Sequence, residues 1–520
     1  MKRMTVKLMA LMLAAGTAFA AMTGCGSVNA VDQTSTDDQQ QEVQQPETKD
    51  TLVVAMESEP PTLHPFDHTS VTAGYMNSLT YNSLFKLDPE TLQPVPDLCE
   101  SYEQLDETTW QFKIFENVYF HDGSHMTAED VKASMEYARN YPTTKQYSSF
   151  WSDVTVVDDY TVRVTTNGSY ALTLFDMASN KIVPKALIDS ENDFSANPVG
   201  SGPYKFVSWT LGDRLEFEAS DNYFDAAHQP SIKHMTWRII PEGSSRTIAL
   251  EAGEVDFVVE VETTDLERLR ESDAVNVTTV AGTRMNYFTM NNEVYPFNNA
   301  DFRKAVNCAI DREAVLTVAL NGEGLAAQSV CPSVFPGTSN DNVEGYDPEK
   351  AKAYLEASGV DTTALTFSCI VSNDTSRRAA EVVQAYLSEV GIEMTIESLD
   401  YAAWLSDVMS GNCMTAITGY TASNLARYLT GTFHTSALDA ANQARFSDDH
   451  VDELIDKVLT LTDEDEANAV YQEVTAYLNS CTPYVPLYES IVTRAYNARL
   501  QGVVVGASGT VRFEDVSWAE

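Results

Sequence analysis

Basic residues are scarce in this 520-residue chain, with 33 Lys and Arg against 76 Asp and Glu and a net charge of −43. Nucleic acids are held by basic faces, so a nucleic-acid partner is not expected. Such a charge favours solubility and says nothing about the fold. Cysteine is sparse too. Beyond Cys25 there are Cys99, Cys308, Cys331, Cys369, Cys413 and Cys481, and no two stand at Cys-x-x-Cys spacing, which argues against a zinc knuckle or dithiol redox motif. Whether these six pair or stay reduced is open at this level. No Gly-x-Ser-x-Gly elbow, phosphate loop or Gly-x-Gly-x-x-Gly fingerprint occurs, and nothing calls for a cofactor. After Asp50 there is no apolar run long enough to cross a bilayer.

What the chain does have begins at its N-terminus. Lys2, Arg3 and Lys7 precede an uncharged stretch from Leu8 to Met22, rich in Leu, Met and Ala, which reads as a secretory signal. Met22-Thr23-Gly24-Cys25 resembles the lipobox of bacterial lipoproteins, in which the cysteine is diacylated and becomes the new N-terminus. Ala18-Phe19-Ala20 offers a competing cleavage site, but the polar segment directly after Cys25 favours the lipobox. The expectation is a signal peptide over 1–24, lipidation at Cys25 and a solvated acidic, Gln-rich tether over 25–50. The body would then be held on a membrane, facing the extracellular space or periplasm.

The body alternates strand and helix signals. Thr51 to Ala55 is a β-rich run broken by Glu59-Pro60-Pro61, and Trp110 to Ile114 alternates like a half-buried strand. Thr127 with Asp130 forms a capping box ahead of a helix lined by Val131, Met135 and Ala138. Val154 to Thr165 reads as paired strands turning at Asp158-Asp159. Phe302 to Ile310 is an amphipathic helix, and Asp347-Pro348 to Gly359 carries a cap, a first-turn proline and a terminal glycine in their places. A helix through Val383 and Leu387 ends at Gly391, and the alternating segment at Met394 and Ile396 follows as a strand. Further helices run through Val451 to Leu459 and Val470 to Leu478, and Pro483 and Pro486 bracket a short extended piece. The pattern is mixed α/β without internal repeats.

One short cluster has metal-site chemistry. His121-Asp122-Gly123-Ser124-His125 brings two imidazoles and a carboxylate together, and a secreted metal-dependent hydrolase built on His121, Asp122 and His125 is one alternative. The cluster lies in a predicted turn, without the helical spacing of His-Glu-x-x-His.

Several ordered blocks point elsewhere. Tyr81 to Phe85, Phe120 to Gly123 with Met126 to Val131, Asn197 to Phe206, Leu250 to Asp256, Phe302 to Arg312 and Tyr346 to Ala351 resemble the signature blocks of the family 5 extracellular solute-binding proteins. These are the oligopeptide, dipeptide and nickel-complex receptors of ABC importers. The resemblance implies an α/β, two-lobed periplasmic-binding-protein-like fold (type II, large class with an extra subdomain), its discontinuous lobes joined by a two-strand hinge. The N-terminal lobe would take 51–283, with the inserted subdomain at about 66–195. The C-terminal lobe would take 284–485, and 486–520 would return to the first lobe. Chain crossings are placed near Ala281 to Asn286 and Tyr484 to Glu489. Gly200, Gly202 and Pro203 are read as a tight turn, and Asp311 with Arg312 as a helix-end ion pair.

The resemblance also implies the ligand contacts. Gly419, Tyr420 and Thr421 match the strand and glycine-aromatic turn that line the cleft of peptide receptors. Where those receptors carry an ammonium-binding aspartate, this chain has Ser423. Arg427 nearby is a candidate for pairing with a ligand carboxylate. Glu59, Pro61, Tyr147, Trp151 and Trp404 complete the candidate lining, and His434 is a ligand only if the solute is a metal complex. The implied function is a monomeric, lipid-anchored, non-enzymatic receptor that captures a small peptide or peptide-like solute and passes it to an ABC permease. A receptor for a carboxylate-rich metal chelate or opine-like compound is the alternative within the same fold.

Overall fold

The computed structural model describes residues 49–519, except Thr69, Asp439 and the side chain of Gln146. The signal peptide, Cys25 and nearly all of the tether lie outside the described residues. No helix among those described is long and apolar enough to cross a membrane.

A mixed, eleven-stranded sheet organises the body. Its inner strand, Thr51–Met56, pairs in parallel with His234–Ile239 and Phe257–Val258, and the antiparallel strands Arg214–Ala219 and Tyr204–Thr210 continue that side. At the other side lie Thr415–Thr421, Thr366–Val371 and Glu393–Ser398. Two long antiparallel strands, Val275–Met290 and Tyr484–Asn497, join the halves. A separate four-stranded antiparallel sheet is built from Cys99–Asp106, Thr109–Ile114, Thr161–Thr166 and Trp151–Asp158.

The apolar residues sort the chain into distinct cores. Leu52, Val54, Tyr204, Phe217, Trp237 and Phe257 form one, and residues from Leu84 to Val199 form another around the small sheet. Phe288, Phe302, Val383, Leu387 and Leu487 form a third, and Tyr287, Tyr428, Phe433, Val474 and Tyr484 a fourth. The two long strands pass between these groups. Val275, Val277, Val492 and Ala495 pack on the first-half side, whereas Met285, Tyr287, Leu487 and Tyr488 are buried on the second. Between them the register slips, from Ala281 opposite Ile491 to Met285 opposite Glu489. A bulge of this kind bends a strand and concentrates its twist.

Local signals explain much of this. Thr127 and Asp130 make the reciprocal capping box, and Asp347 caps a helix that ends at Gly359 with φ 65°. Other expectations need correction. The extended piece at Pro483–Pro486 is the start of a 14-residue strand, and Pro486 sits at a second register shift, where a residue without an N–H costs the ladder least. Asp311 and Arg312 make no ion pair: Asp311 caps its helix through the amides of Glu313 and Ala314, while Arg312 donates to the Asn307 side chain at 2.7 Å. Gly200 and Gly202 are needed for close approach, since Gly202 lies directly on the backbone of Leu79 and Thr80.

The histidine cluster is consumed locally. His121 bonds the Gly202 carbonyl at 2.9 Å, His125 bonds that of Glu116 at 2.7 Å, and Asp122 accepts from the amide and hydroxyl of Ser124. Burial pushes the His121 imidazole down to about 4, which keeps it neutral. Among the described residues no group of three or more His, Cys, Asp or Glu could hold a metal ion. The six described cysteines are all free thiols, four of them buried.

Candidate functional site

Of the candidate residues, Arg427 lies at the seam between the two groups of cores. Two recesses open there. One, of about 460 Å³, is walled by Tyr102, Trp110, Leu172 and Phe175 from the first half and by Phe335, Leu425 and Tyr471 from the second. The other, of about 740 Å³ and broad-mouthed, is bordered by Thr143, Lys145, Phe150 and Tyr170 opposite Arg427. Concave seams between domains are favoured positions for small-molecule sites.

Arg427 bridges the seam. It rises from the helix Leu425–Phe433, whose N-cap Asn424 accepts a hydrogen bond from the Arg427 amide. Its guanidinium Nη2 lies 2.6 Å from Asp176 Oδ1 and 3.2 Å from the Tyr170 hydroxyl. The same hydroxyl donates to Asp176 Oδ2 at 2.7 Å. Asp176 is nearly closed to solvent, at 4% side-chain exposure. Burial pushes the Asp176 carboxyl up against the opposing pull of Arg427, and at Arg427 burial lowers the pKa but is outweighed by Asp176 together with the Tyr170 and Tyr420 hydroxyls, so that the net direction is upward. The short contact and the Tyr170 bond on the second oxygen support the ionised form. In this structure the charge of Arg427, expected to face a ligand carboxylate, is met by the chain's own Asp176. Backbone contacts reinforce this bridge, with the Ala171 amide donating to Leu459 O at 2.8 Å and the Ser169 hydroxyl to Thr460 O at 2.9 Å.

The other expected contacts divide. Gly419, Tyr420 and Thr421 lie on the strand paired with Arg284–Asn286, beside the hinge. Gly419 is required there, because a Cβ would stand 2.5 Å from the Met285 carbonyl oxygen and 2.8 Å from Arg284 Nη2. Tyr420 is half-buried and Ser423 is exposed, with no acid in its place. Tyr147 is half-buried near Asp176, and burial raises its phenol. Pro61 is exposed, but Glu59 is committed, its Oε2 accepting from Trp209 Nε1 at 3.1 Å and the Gly212 amide at 3.0 Å.

The two tryptophans, expected in the cleft lining, lie in cores. Trp151 is buried in the core of the small sheet with the Arg139 guanidinium 3.3 Å from its ring centroid, and Trp404 is buried against Ile370, Val408 and Ala416. Both fill cores because their large apolar faces gain more there than at a wetted wall. His434 is held by Ser436, whose amide and hydroxyl approach Nδ1 at 3.0 and 2.7 Å, and its Nε2 lies 3.3 Å from Asp456. It caps a turn rather than facing the seam residues. The sequence reading missed Arg284 and Asp176, and their positions within a hinge bulge and a short helix carry no local motif.

Comparison with known proteins agrees with this architecture. The family model of the bacterial extracellular solute-binding proteins, family 5 (middle region), matches residues 93–436. The glutathione-binding protein GsiB of Pectobacterium atrosepticum is 27% identical over 487 residues, covering 90% of this chain and 94% of the relative. The dipeptide-binding protein of Escherichia coli (strain K12) is 25% identical over 508 residues, with 90% and 94% covered. Among solved structures, HbpA2 from Haemophilus parasuis matches with a TM-score of 0.83 at 23% identity, over 90% of this chain and 100% of that one. The relatives are transport-associated binding proteins, so the hydrolase alternative at His121, Asp122 and His125 is set aside. The chain, with its two-lobed type II α/β fold, belongs to the bacterial extracellular solute-binding proteins of family 5 and is a binding protein, not an enzyme.

Proposed function

We propose that this chain is a lipid-anchored receptor that captures a small peptide or peptide-like solute, closes its lobes around it and delivers it to an ABC permease, acting as a monomer. The observation that carries this reading is the pair of long strands that leave one set of cores and enter another across a shared register slip. Two strands bent at one level make a hinge, and closure about a hinge turns solute affinity into a recognisable conformation. The lobes are taken as 51–283 with its insertion at about 66–195, and 284–485, with 486–520 returning. Leu487 and Tyr488 still pack in the second-half core, which favours a return a few residues later than 486, at Glu489–Ile491. Glutathione-binding and dipeptide-binding relatives support a peptide-like solute.

Calorimetry of the purified chain with pooled natural dipeptides and with glutathione tests the reading. Saturable binding with recovery of unaltered solute is expected, and failure of both probes to bind would contradict it. A carboxylate-rich chelate or opine-like solute is the second reading, favoured by the absence of an acid at Ser423. N-acetylation of a bound dipeptide separates the two: little loss of affinity supports the second reading, and abolished binding removes it. Lipidation at Cys25 predicts that Cys25→Ser moves the protein from the membrane to the soluble extracytoplasmic fraction. Retention on the membrane would count against the anchor.

A further inference from the structure

Arg284, in the hinge, is an arginine that meets no carboxylate among the described residues. Among the described residues, Arg214, Arg268, Arg270, Arg377, Arg427 and Arg445 each meet a carboxylate. Arg246, Arg303 and Arg494 instead lie among main-chain carbonyls. Arg284 has neither arrangement. Its Nε donates to Asn286 Oδ1 at 3.1 Å and its Nη1 reaches Thr421 Oγ1 at a long 3.5 Å, while Nη2 has no hydrogen-bond acceptor among the described residues. In a chain with 76 acidic residues, no carboxylate of the described residues comes within 4.0 Å of it.

Its setting is built to hold it. Arg284 is half-buried in the hinge bulge, paired in register with Thr421. Asn286, only 8% exposed, accepts from the guanidinium and donates through Nδ2 to Ser490 Oγ at 2.9 Å on the other hinge strand. The missing side chain of Gly419 leaves the space that Nη2 borders. A half-desolvated guanidinium with a fixed Nε and a free edge is suited to a planar, bidentate anion, and a carboxylate fits that fork.

We propose that Arg284 is a specificity-determining residue that takes the carboxylate of the bound solute, so that the protein selects peptide-like solutes with a free C-terminal carboxylate. The inference rests on the solute-binding reading above and replaces Arg427 in the anchoring role. It places the carboxylate end at the hinge, beside Gly419–Thr421, where lobe closure would remove it from water and strengthen the pair.

The test uses two probes on the full-length protein, pooled dipeptides with free C-termini and the same pool C-amidated, titrated into wild type, Arg284→Met and Arg284→Lys. Amidation should weaken binding to wild type by about tenfold to a hundredfold, the span of a lost charge-assisted hydrogen bond. Arg284→Met should lose a similar factor for the free pool and no longer distinguish the two pools. Arg284→Lys should keep part of the preference, because it keeps the charge without the fork. Equal binding of both pools by wild type overturns the inference and leaves the function standing. So does a Met variant that prefers the free pool as wild type does, or one that loses both pools equally, the mark of a merely structural role. If wild type binds neither pool, the peptide reading falls and the inference with it. Should the Met variant not fold, the wild-type comparison and the Lys variant decide.

Discussion

Arg427→Met should weaken dipeptide binding by at least about thirtyfold, because removing one partner of a desolvated, hydrogen-bonded charge pair costs about 2–5 kcal/mol. The cost falls on the state in which the lobes touch. There Asp176, at 4% exposure, would keep, among the described residues, the Tyr170 hydroxyl alone as a side-chain partner. An opened molecule can hydrate that carboxylate, so the penalty appears as lost affinity rather than lost fold. Asp176→Asn combined with Arg427→Met removes both charges and should recover most of the loss, since replacing a whole pair is far milder than orphaning one member. Calorimetry on the four proteins of the double-mutant cycle measures this. A single variant that binds like wild type would mean that the bridge is absent from the bound state, and a double variant as weak as the single would mean that the two side chains act independently.

Gly202→Ala should cost about 3 kcal/mol or more of folding stability, at the upper end for inserting one methyl group into a packed site. The added Cβ would overlap the Leu79 carbonyl oxygen and stand 2.5 Å from the Thr80 carbonyl carbon. Those atoms are backbone, held by the Gly202 amide donating to Thr80 O at 2.9 Å, and cannot rotate away as a side-chain tip could. Gly168→Ala is the control, with nothing within 4 Å of its added Cβ, and should shift stability by no more than about 0.5 kcal/mol. Denaturant midpoints compare them. Equal effects at the two sites would show that the contact at Gly202 yields easily.

The contrast at Gly202 shows what the sequence discloses and where it stops. A Gly-x-Gly-Pro run has the composition of a turn, and the same composition serves a close backbone approach, which depends on a segment more than a hundred residues away. Local features were legible because their physics is local. Thr127 and Asp130 cap a helix within one turn, and Asp347, Pro348 and Gly359 bound another. The family blocks also gave the two-lobed architecture, since they recur in order over most of the body. The seam itself was poorly legible. Arg427 and Asp176 are 251 residues apart, and no pattern in either helix links them, so an arginine near a binding strand read as a ligand anchor. Trp151 and Trp404 met the aromatic expectation for a cleft wall equally well as cores, and only their burial separates the two. Arg284 sat inside a segment recognised as hinge, where a strand signal says nothing of what a half-buried cation meets.

Small-angle scattering of the purified full-length chain, alone and with dipeptide at a concentration that calorimetry shows to be saturating, tests the central claim most directly. Capture by hinge closure predicts a smaller radius of gyration at unchanged forward scattering, so that the molecule compacts without associating, and a weaker response in Arg427→Met at the same dipeptide concentration. An unchanged radius of gyration at saturation, with solute bound, would contradict closure about the strands Val275–Met290 and Tyr484–Asn497.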